Sequence, residues 1–76
     1  MILRDTISII GGAGHVGFPL ALAFANKNFD INIIDLNVEN LNKIKTGTVP
    51  FYEVGAKKIL QKCLKKNKLK FSSNLK

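Results

Sequence analysis

The sequence predicts an α/β fold built on a small parallel sheet. Three observations carry this. Two short β-branched runs, Thr6–Ile10 and Ile31–Asp35, and a third strand-like run, Lys68–Ser72, are separated by stretches with helical spacing. The first run stops abruptly on glycine, with Gly11, Gly12, Gly14 and Gly17 falling within seven residues. The element order strand, helix, strand, helix, helix, strand requires right-handed crossovers between parallel strands.

Each element has a local reason. Thr6-Ile-Ser-Ile-Ile10 reads as a buried parallel-type strand. Gly11 to Gly14 cannot be helix interior, where each glycine costs about 1 kcal/mol relative to alanine. From His15 to Asn28 the residues suit a helix. Val16, Leu20 and Phe24, with Ala23 beside them, form its expected apolar stripe. Pro19 falls in the first turn, where a missing N–H is tolerated. Asn28 to Asp30 is a turn, and the second strand ends on Asp35. Asn37 can cap a helix running to about Lys45, with Val38, Leu41 and Ile44 on one face and Thr46-Gly47 ending it. Thr48 to Tyr52 is a loop. A third helix is expected from about Glu53 to Lys66, with Ile59, Leu60, Cys63 and Leu64 inward, and Asn67 closes it. The three strands are expected in the order 3-2-1, the first half of a Rossmann-type doubly wound sheet, filling residues 1–76 as one partial domain.

Composition narrows the function. The 46% hydrophobic content is that of a globular chain. No apolar run approaches the roughly 18 residues of a membrane span, and Asp5 and the glycines spoil any leader pattern, so a cytoplasmic location is expected. Cys63 is the only cysteine and His15 the only histidine, so neither a disulfide nor a metal site is expected. The net charge of +7 is uneven: −1 through Ala56 and +8 from Lys57 onward. A basic interaction module is one reading of that segment. A solvated helix face is the other, and it is favoured because no aromatic is interleaved to stack a base. Neither nucleic acid nor membrane is an expected partner.

Gly12-Ala13-Gly14-His15-Val16-Gly17 is a G-x-G-x-x-G between a strand and a helix. In that context Gly12 allows the tight turn, Gly14 lets a pyrophosphate approach the backbone, and Gly17 lets the helix pack close to the sheet. Helix N–H groups and the dipole then hold the phosphates. Asp35 stands 21 residues past Gly14, placed to accept hydrogen bonds from ribose hydroxyls and to repel a 2′-phosphate. No arginine follows it, so NAD is expected rather than NADP. His15 is expected as a wall of the site, and Cys63 as a core residue rather than a nucleophile.

The stretches IIGGAGHVGFPLALAFA, IIDLN, LNKIKTGTVPFYEVGAKKIL and LKFSSN together resemble the N-terminal end of the UDP-glucose/GDP-mannose dehydrogenase family. The most specific part is the later G-x-x-P-[FIY]-x-E-x-G, carried by Gly47, Pro50, Glu53 and Gly55, which argues against hydroxyacyl-CoA and hydroxy-acid dehydrogenases. The resemblance implies an NAD-dependent, two-step oxidation of a nucleotide-sugar C6 alcohol to a carboxylate, through an aldehyde and a cysteine thioester. It implies that Gly12, Gly14 and Gly17 bind pyrophosphate and Asp35 binds ribose. Two positions depart from the family pattern. Asn40 stands where some members have Lys or Arg, and Val54 where proline is usual. Members are several times longer, and their catalytic cysteine, lysine and asparagine, with the sugar-binding domain, have no counterpart in these 76 residues. Cys63 does not match the catalytic cysteine. The chain is thus expected to be a truncated or excised portion, inactive alone, with Thr6–Ile10 exposed as an edge through which copies can associate.

Overall fold

A computed structural model of the chain describes residues 6–50 and 54–73. Its elements, in chain order, are β1 (Thr6–Ile10), α1 (Gly17–Asn26), β2 (Asp30–Ile34), α2 (Val38–Lys45), α3 (Ala56–Lys65) and β3 (Leu69–Ser72). Both strand pairings are parallel, with Ile7 opposite Ile31, Ile9 opposite Ile33 and Ile33 opposite Phe71. β2 lies between β1 and β3, an adjacency that is the same read from either edge. The start of the third helix at Glu53 lies outside the described residues; the observed helix opens at Ala56, with Gly55 as its N-cap at φ +80°.

One apolar core joins sheet and helices. Ile9, Ile31, Ile33 and Leu69 point from the strands into a layer made by Phe18, Ala21, Leu22 and Ala25 of α1, Leu41 and Ile44 of α2, and Ala56, Leu60 and Cys63 of α3. All three helices therefore lie on one face, as right-handed crossovers between successive strands require. Each helix ends at a residue in the left-handed region: Asn28 (φ 79°), Gly47 (φ 85°) and Asn67 (φ 61°). Asparagine and glycine tolerate that region, so these three positions turn the chain back toward the sheet.

Two expectations are corrected here. The inward stripe of α1 is Phe18, Ala21, Leu22 and Ala25, whereas Val16 is 84% exposed and Leu20 and Ala23 are also exposed; Phe24 is half-buried. The helix has two apolar stripes, and hydrophobicity alone does not choose between them. Gly17 chooses. A Cβ there would overlap the Gly11 carbonyl oxygen and approach Gly12 Cα to 2.9 Å, so α1 is pressed against the loop at Gly17 and its turn-by-turn successors Ala21 and Ala25 follow inward. The second correction concerns the strands. They are not buried on both faces: Thr6, Ser8, Ile10 and Lys70 are exposed and Asp30, Asn32, Ile34 and Ser72 half-buried on the face without helices. That face is mostly polar, and an Asn32–Ser8 side-chain hydrogen bond of 3.4 Å crosses it. Only Ile10 and Ile34 are apolar there, fewer than a fully buried strand would carry.

Candidate functional site

At the C-terminal edge of the sheet, β1 and β2 each hand the chain to a helix. The two junctions touch, and they gather Gly11 to Gly17 with Asp35 to Asn40.

The glycine loop follows from β1 ending against β2. Gly11 and Gly12 both donate to the Ile34 carbonyl, at 2.7 and 3.3 Å, which anchors the loop on the central strand. Gly11, not Gly12, takes the left-handed conformation at φ +76°. Gly12 is instead needed for space: its Cβ would lie 2.9 Å from both Ile33 Cγ2 and the Ile9 carbonyl oxygen. The tight turn therefore belongs to Gly11, and the signal for it was the doubled glycine. Gly17 fits against the loop itself rather than against the sheet.

Gly14 differs from its neighbours. A Cβ there would meet only the Gly11 carbonyl oxygen, at 3.3 Å. The fold's need for glycine is strong at positions 12 and 17 and weakest of the three at 14. Beyond it, His15 and Val16 are exposed, and Val16 is the N-cap of α1 with no side chain capping the helix. The N–H groups of Val16 and Gly17 have no backbone acceptor among the described residues, and no acidic residue stands in the first turn. This helix end presents N–H donors and the positive end of its dipole, which suits an anion.

Asp35 follows β2 directly. Its Oδ2 accepts from the Ala13 N–H at 3.0 Å and its Oδ1 from the Asn37 N–H at 2.9 Å. A carboxylate has about four acceptor positions, so each oxygen retains capacity for a ligand hydroxyl. Ala13 is fully buried, with its N–H on Asp35 and its carbonyl oxygen accepting from Asn40 Nδ2 at 3.2 Å. Its side chain lies in the core, and its two backbone groups tie the loop to the second junction. Asn37 and Asn40 are the residues that sequence reasoning undervalued. Asn37 was legible as a cap, and its Oδ1 does accept from the Asn40 N–H at 3.0 Å; no periodicity reveals the long-range bond from Asn40.

Two other features stand apart. Cys63 is buried and unpaired in the core, and loss of solvation pushes its thiol pKa up against the opposing pull of Lys62 and Lys66. A raised pKa leaves little thiolate, which is the reverse of what a nucleophile needs. An open groove of about 840 Å³ runs past Lys45, Lys62, Lys65 and Lys66. Lys45 and the α3 lysines at 62 and 65 fall in the last turns of α2 and α3, where cations are stabilised by the negative end of the helix dipole. Their position is accounted for without a ligand. Among the described residues no helix is long and apolar enough to cross a membrane, and no group of His, Cys, Asp and Glu is placed to hold a metal.

Comparison with known proteins places this geometry. The chain is 37% identical over 65 residues to the putative UDP-glucose 6-dehydrogenase YtcA of Bacillus subtilis (strain 168), covering 86% of this chain and 14% of that protein. It is 35% identical over 66 residues to the UDP-glucose 6-dehydrogenase of Bos taurus, covering 84% of this chain and 13% of that one. Among solved structures, a UDP-glucose dehydrogenase from the hyperthermophilic archaeon Pyrobaculum islandicum superposes with a TM-score of 0.86 at 25% identity, over 95% of this chain and 16% of that one. The UDP-N-acetyl-mannosamine dehydrogenase Cap5O of Staphylococcus aureus superposes with a TM-score of 0.87, also at 25% identity, over 95% of this chain and 17% of that one. The chain thus spans a small fraction of the length of these relatives. Residues 5–76 match the family model for the NAD binding domain, and the chain belongs to the UDP-glucose/GDP-mannose dehydrogenase family.

Proposed function

We propose that this chain is the NAD-binding N-terminal portion of a nucleotide-sugar 6-dehydrogenase, with Gly12, Gly14, His15, Val16 and Gly17 forming the pyrophosphate end of the site and Asp35 the ribose end. The observation that carries the reading is Gly14. Its missing side chain is almost unused by the fold, yet it lies beside an uncapped helix N-terminus. Space reserved there suits the close approach of a phosphate to backbone. Gly12 and Gly17 contribute indirectly, by letting the loop sit tightly on Ile33 and α1. Asp35 accepts from ribose hydroxyls and, being anionic, disfavours a 2′-phosphate. His15 walls the site. NAD supplies the hydride acceptor for oxidation of the sugar alcohol. The described residues hold no activated nucleophile, since Cys63 is buried with a raised pKa. We therefore expect the 76-residue chain to bind NAD weakly and to oxidise no UDP- or GDP-sugar. β1 is an edge of the described sheet, so its outer N–H and C=O groups offer a route to self-association.

The test uses a substitution that the fold tolerates. Gly14→Ala asks the Gly11 carbonyl oxygen to give by a few tenths of an ångström, much less than the overlap at Gly12 or Gly17, so its urea midpoint should fall far less than that of Gly17→Ala. Its affinity for NAD and for ADP-ribose should fall about tenfold or more, because the new methyl occupies the approach to the loop. Titration followed by amide NMR reads both. A Gly14→Ala chain that is folded and binds as the parent does would overturn the proposal.

A further inference from the structure

We infer that Asn40 is a positioning residue of the dinucleotide site, acting as a latch that holds the Ala13–Gly14 peptide in place; the inference rests on the function proposed above. Four hydrogen bonds close a ring between the two junctions. The Ala13 N–H donates to Asp35 Oδ2, the Asn37 N–H donates to Asp35 Oδ1, the Asn40 N–H donates to Asn37 Oδ1, and Asn40 Nδ2 donates back to the Ala13 carbonyl oxygen. The last bond links residues 27 apart in sequence and is part-buried. The peptide it grips is held at its other end too, because the Gly14 N–H donates to the Gly11 carbonyl oxygen at 3.0 Å. With both ends fixed, the plane of the Ala13–Gly14 peptide cannot rotate, and Gly14 Cα is set beside the open end of α1.

The ring ties the two halves of the adenosine diphosphate site together. Asp35, which faces the ribose, accepts from the Ala13 N–H, and Gly14, which faces the phosphates, follows Ala13 directly in the chain. Glycine on both flanks of Ala13 leaves this loop with little stiffness of its own. A loop already held in its binding geometry loses less entropy when the ligand arrives. Asn40 is suited to this because only its side chain reaches Ala13, while its backbone N–H serves the α2 cap. Any residue but proline at position 40 keeps the cap. Only a side-chain donor of the right length keeps the latch.

Asn40→Asp tests this, since aspartate matches asparagine in shape but cannot donate to the Ala13 carbonyl. Asn40→Ala removes the group without adding charge, and Asn40→Gln keeps an amide donor on a longer stem. For the 76-residue chain, we expect Asn40→Asp and Asn40→Ala to weaken ADP-ribose binding about five- to tenfold, the loss of one hydrogen bond. The Gly14 amide, which belongs to the gripped peptide, should shift in its nitrogen signal and exchange its hydrogen faster in the unliganded chain. Apart from position 40 and its immediate neighbours, the amide signals of α2 should stay where they are. Asn40→Gln should recover part of both losses. Unchanged Gly14 signals and unchanged ADP-ribose affinity in Asn40→Ala would overturn the latch while leaving the proposed function standing. Failure of the parent chain itself to bind ADP-ribose would overturn both.

Discussion

Two helices begin at the same edge of the sheet, and they begin differently. α2 satisfies its own start: Asn37 caps it, and Glu39 places a carboxylate in its first turn. α1 has neither, only Val16 at the N-cap and glycine and phenylalanine behind it. A capped terminus has spent its N–H donors on side chains and neutralised its dipole from within. An uncapped one leaves both for an external anion. Of two equivalent strand-to-helix junctions, then, one closes on its own side chains and the other stays open, as the proposed site requires. The first supports the second, because Asp35 and Asn40 of the α2 junction bond Ala13 of the α1 junction.

The largest effect should come from forcing the open junction apart. Gly17→Ala drives a Cβ into the Gly11 carbonyl and to within 2.8 Å of its carbon, an overlap with backbone too deep for a shift of a few tenths of an ångström to relieve. Overpacking of this kind costs about 1–3 kcal/mol or more, a large share of a small domain's margin. The urea midpoint should drop sharply, and with it the register of α1. A Gly17→Ala chain as stable as the parent would mean that α1 is not pressed against the loop.

A second change turns the open junction into a copy of the closed one. Val16→Asp puts a carboxylate at the α1 N-cap, at a residue that is already exposed. The dipole interaction should stabilise the helix by about 0.3–1 kcal/mol. The same charge should repel a diphosphate and reduce NAD affinity about tenfold or more. Stability and binding moving in opposite directions would separate a site from a merely weak helix end. Parallel movement of the two would break the comparison.

Much of this contrast was legible in the residues. The strand that stops on glycine, the G-x-G-x-x-G that follows and the acid ending the second strand mark both junctions in the sequence itself. Asn37 was recognisable as a cap because capping is local: a side chain serves a backbone group three residues on. The inward face of α1 was not legible. Val16, Leu20 and Phe24 make as good a stripe as Phe18, Leu22 and Ala25. The choice rests on the contact of Gly17 with Gly11, which is six residues away and depends on how the loop folds. The spacing Gly17, Ala21, Ala25 was the available signal, a row of small residues that lets a helix come close. The bond from Asn40 to Ala13 could not be read at all, since it depends on tertiary placement. The polar outer face of the sheet could have been read from Ser8, Asn32 and Lys70, which alternate with the isoleucines and Phe71.

The closed junction should show the complementary behaviour. Asn37→Ala removes the α2 cap and should cost about 1 kcal/mol of stability. The Asn37 backbone N–H still reaches Asp35, so the carboxylate keeps both of its donors. NAD affinity should therefore change much less than in Gly14→Ala or Val16→Asp. Urea unfolding and an ADP-ribose titration of the same sample read the two numbers. Loss of binding comparable to that in Val16→Asp would show that α2, too, faces the ligand.

The smallest effect should come from α3, remote from both junctions. Cys63 is buried, and desolvation holds its thiol pKa above the usual value of 9.0, while Lys62 and Lys66 pull the other way. Unfolding returns the thiol to water and lowers its pKa. Between the two values the unfolded chain binds fewer protons than the folded one, so stability must fall as pH rises. The contribution is intact below about pH 8 and is lost progressively through and above pH 9. Lysines that titrate in the same range do so in the parent and in Cys63→Ala alike. The difference between their urea midpoints, measured at pH 7.5 and again at pH 9.5, therefore isolates the thiol. The parent should lose slightly more stability over that interval than Cys63→Ala, and ADP-ribose binding at neutral pH should be the same in both. Equal losses would place the thiol in contact with water. A change in ADP-ribose affinity would instead mean that α3 communicates with the glycine loop, through its packing on α1 or by another route, and the two junctions would no longer be the whole of the site.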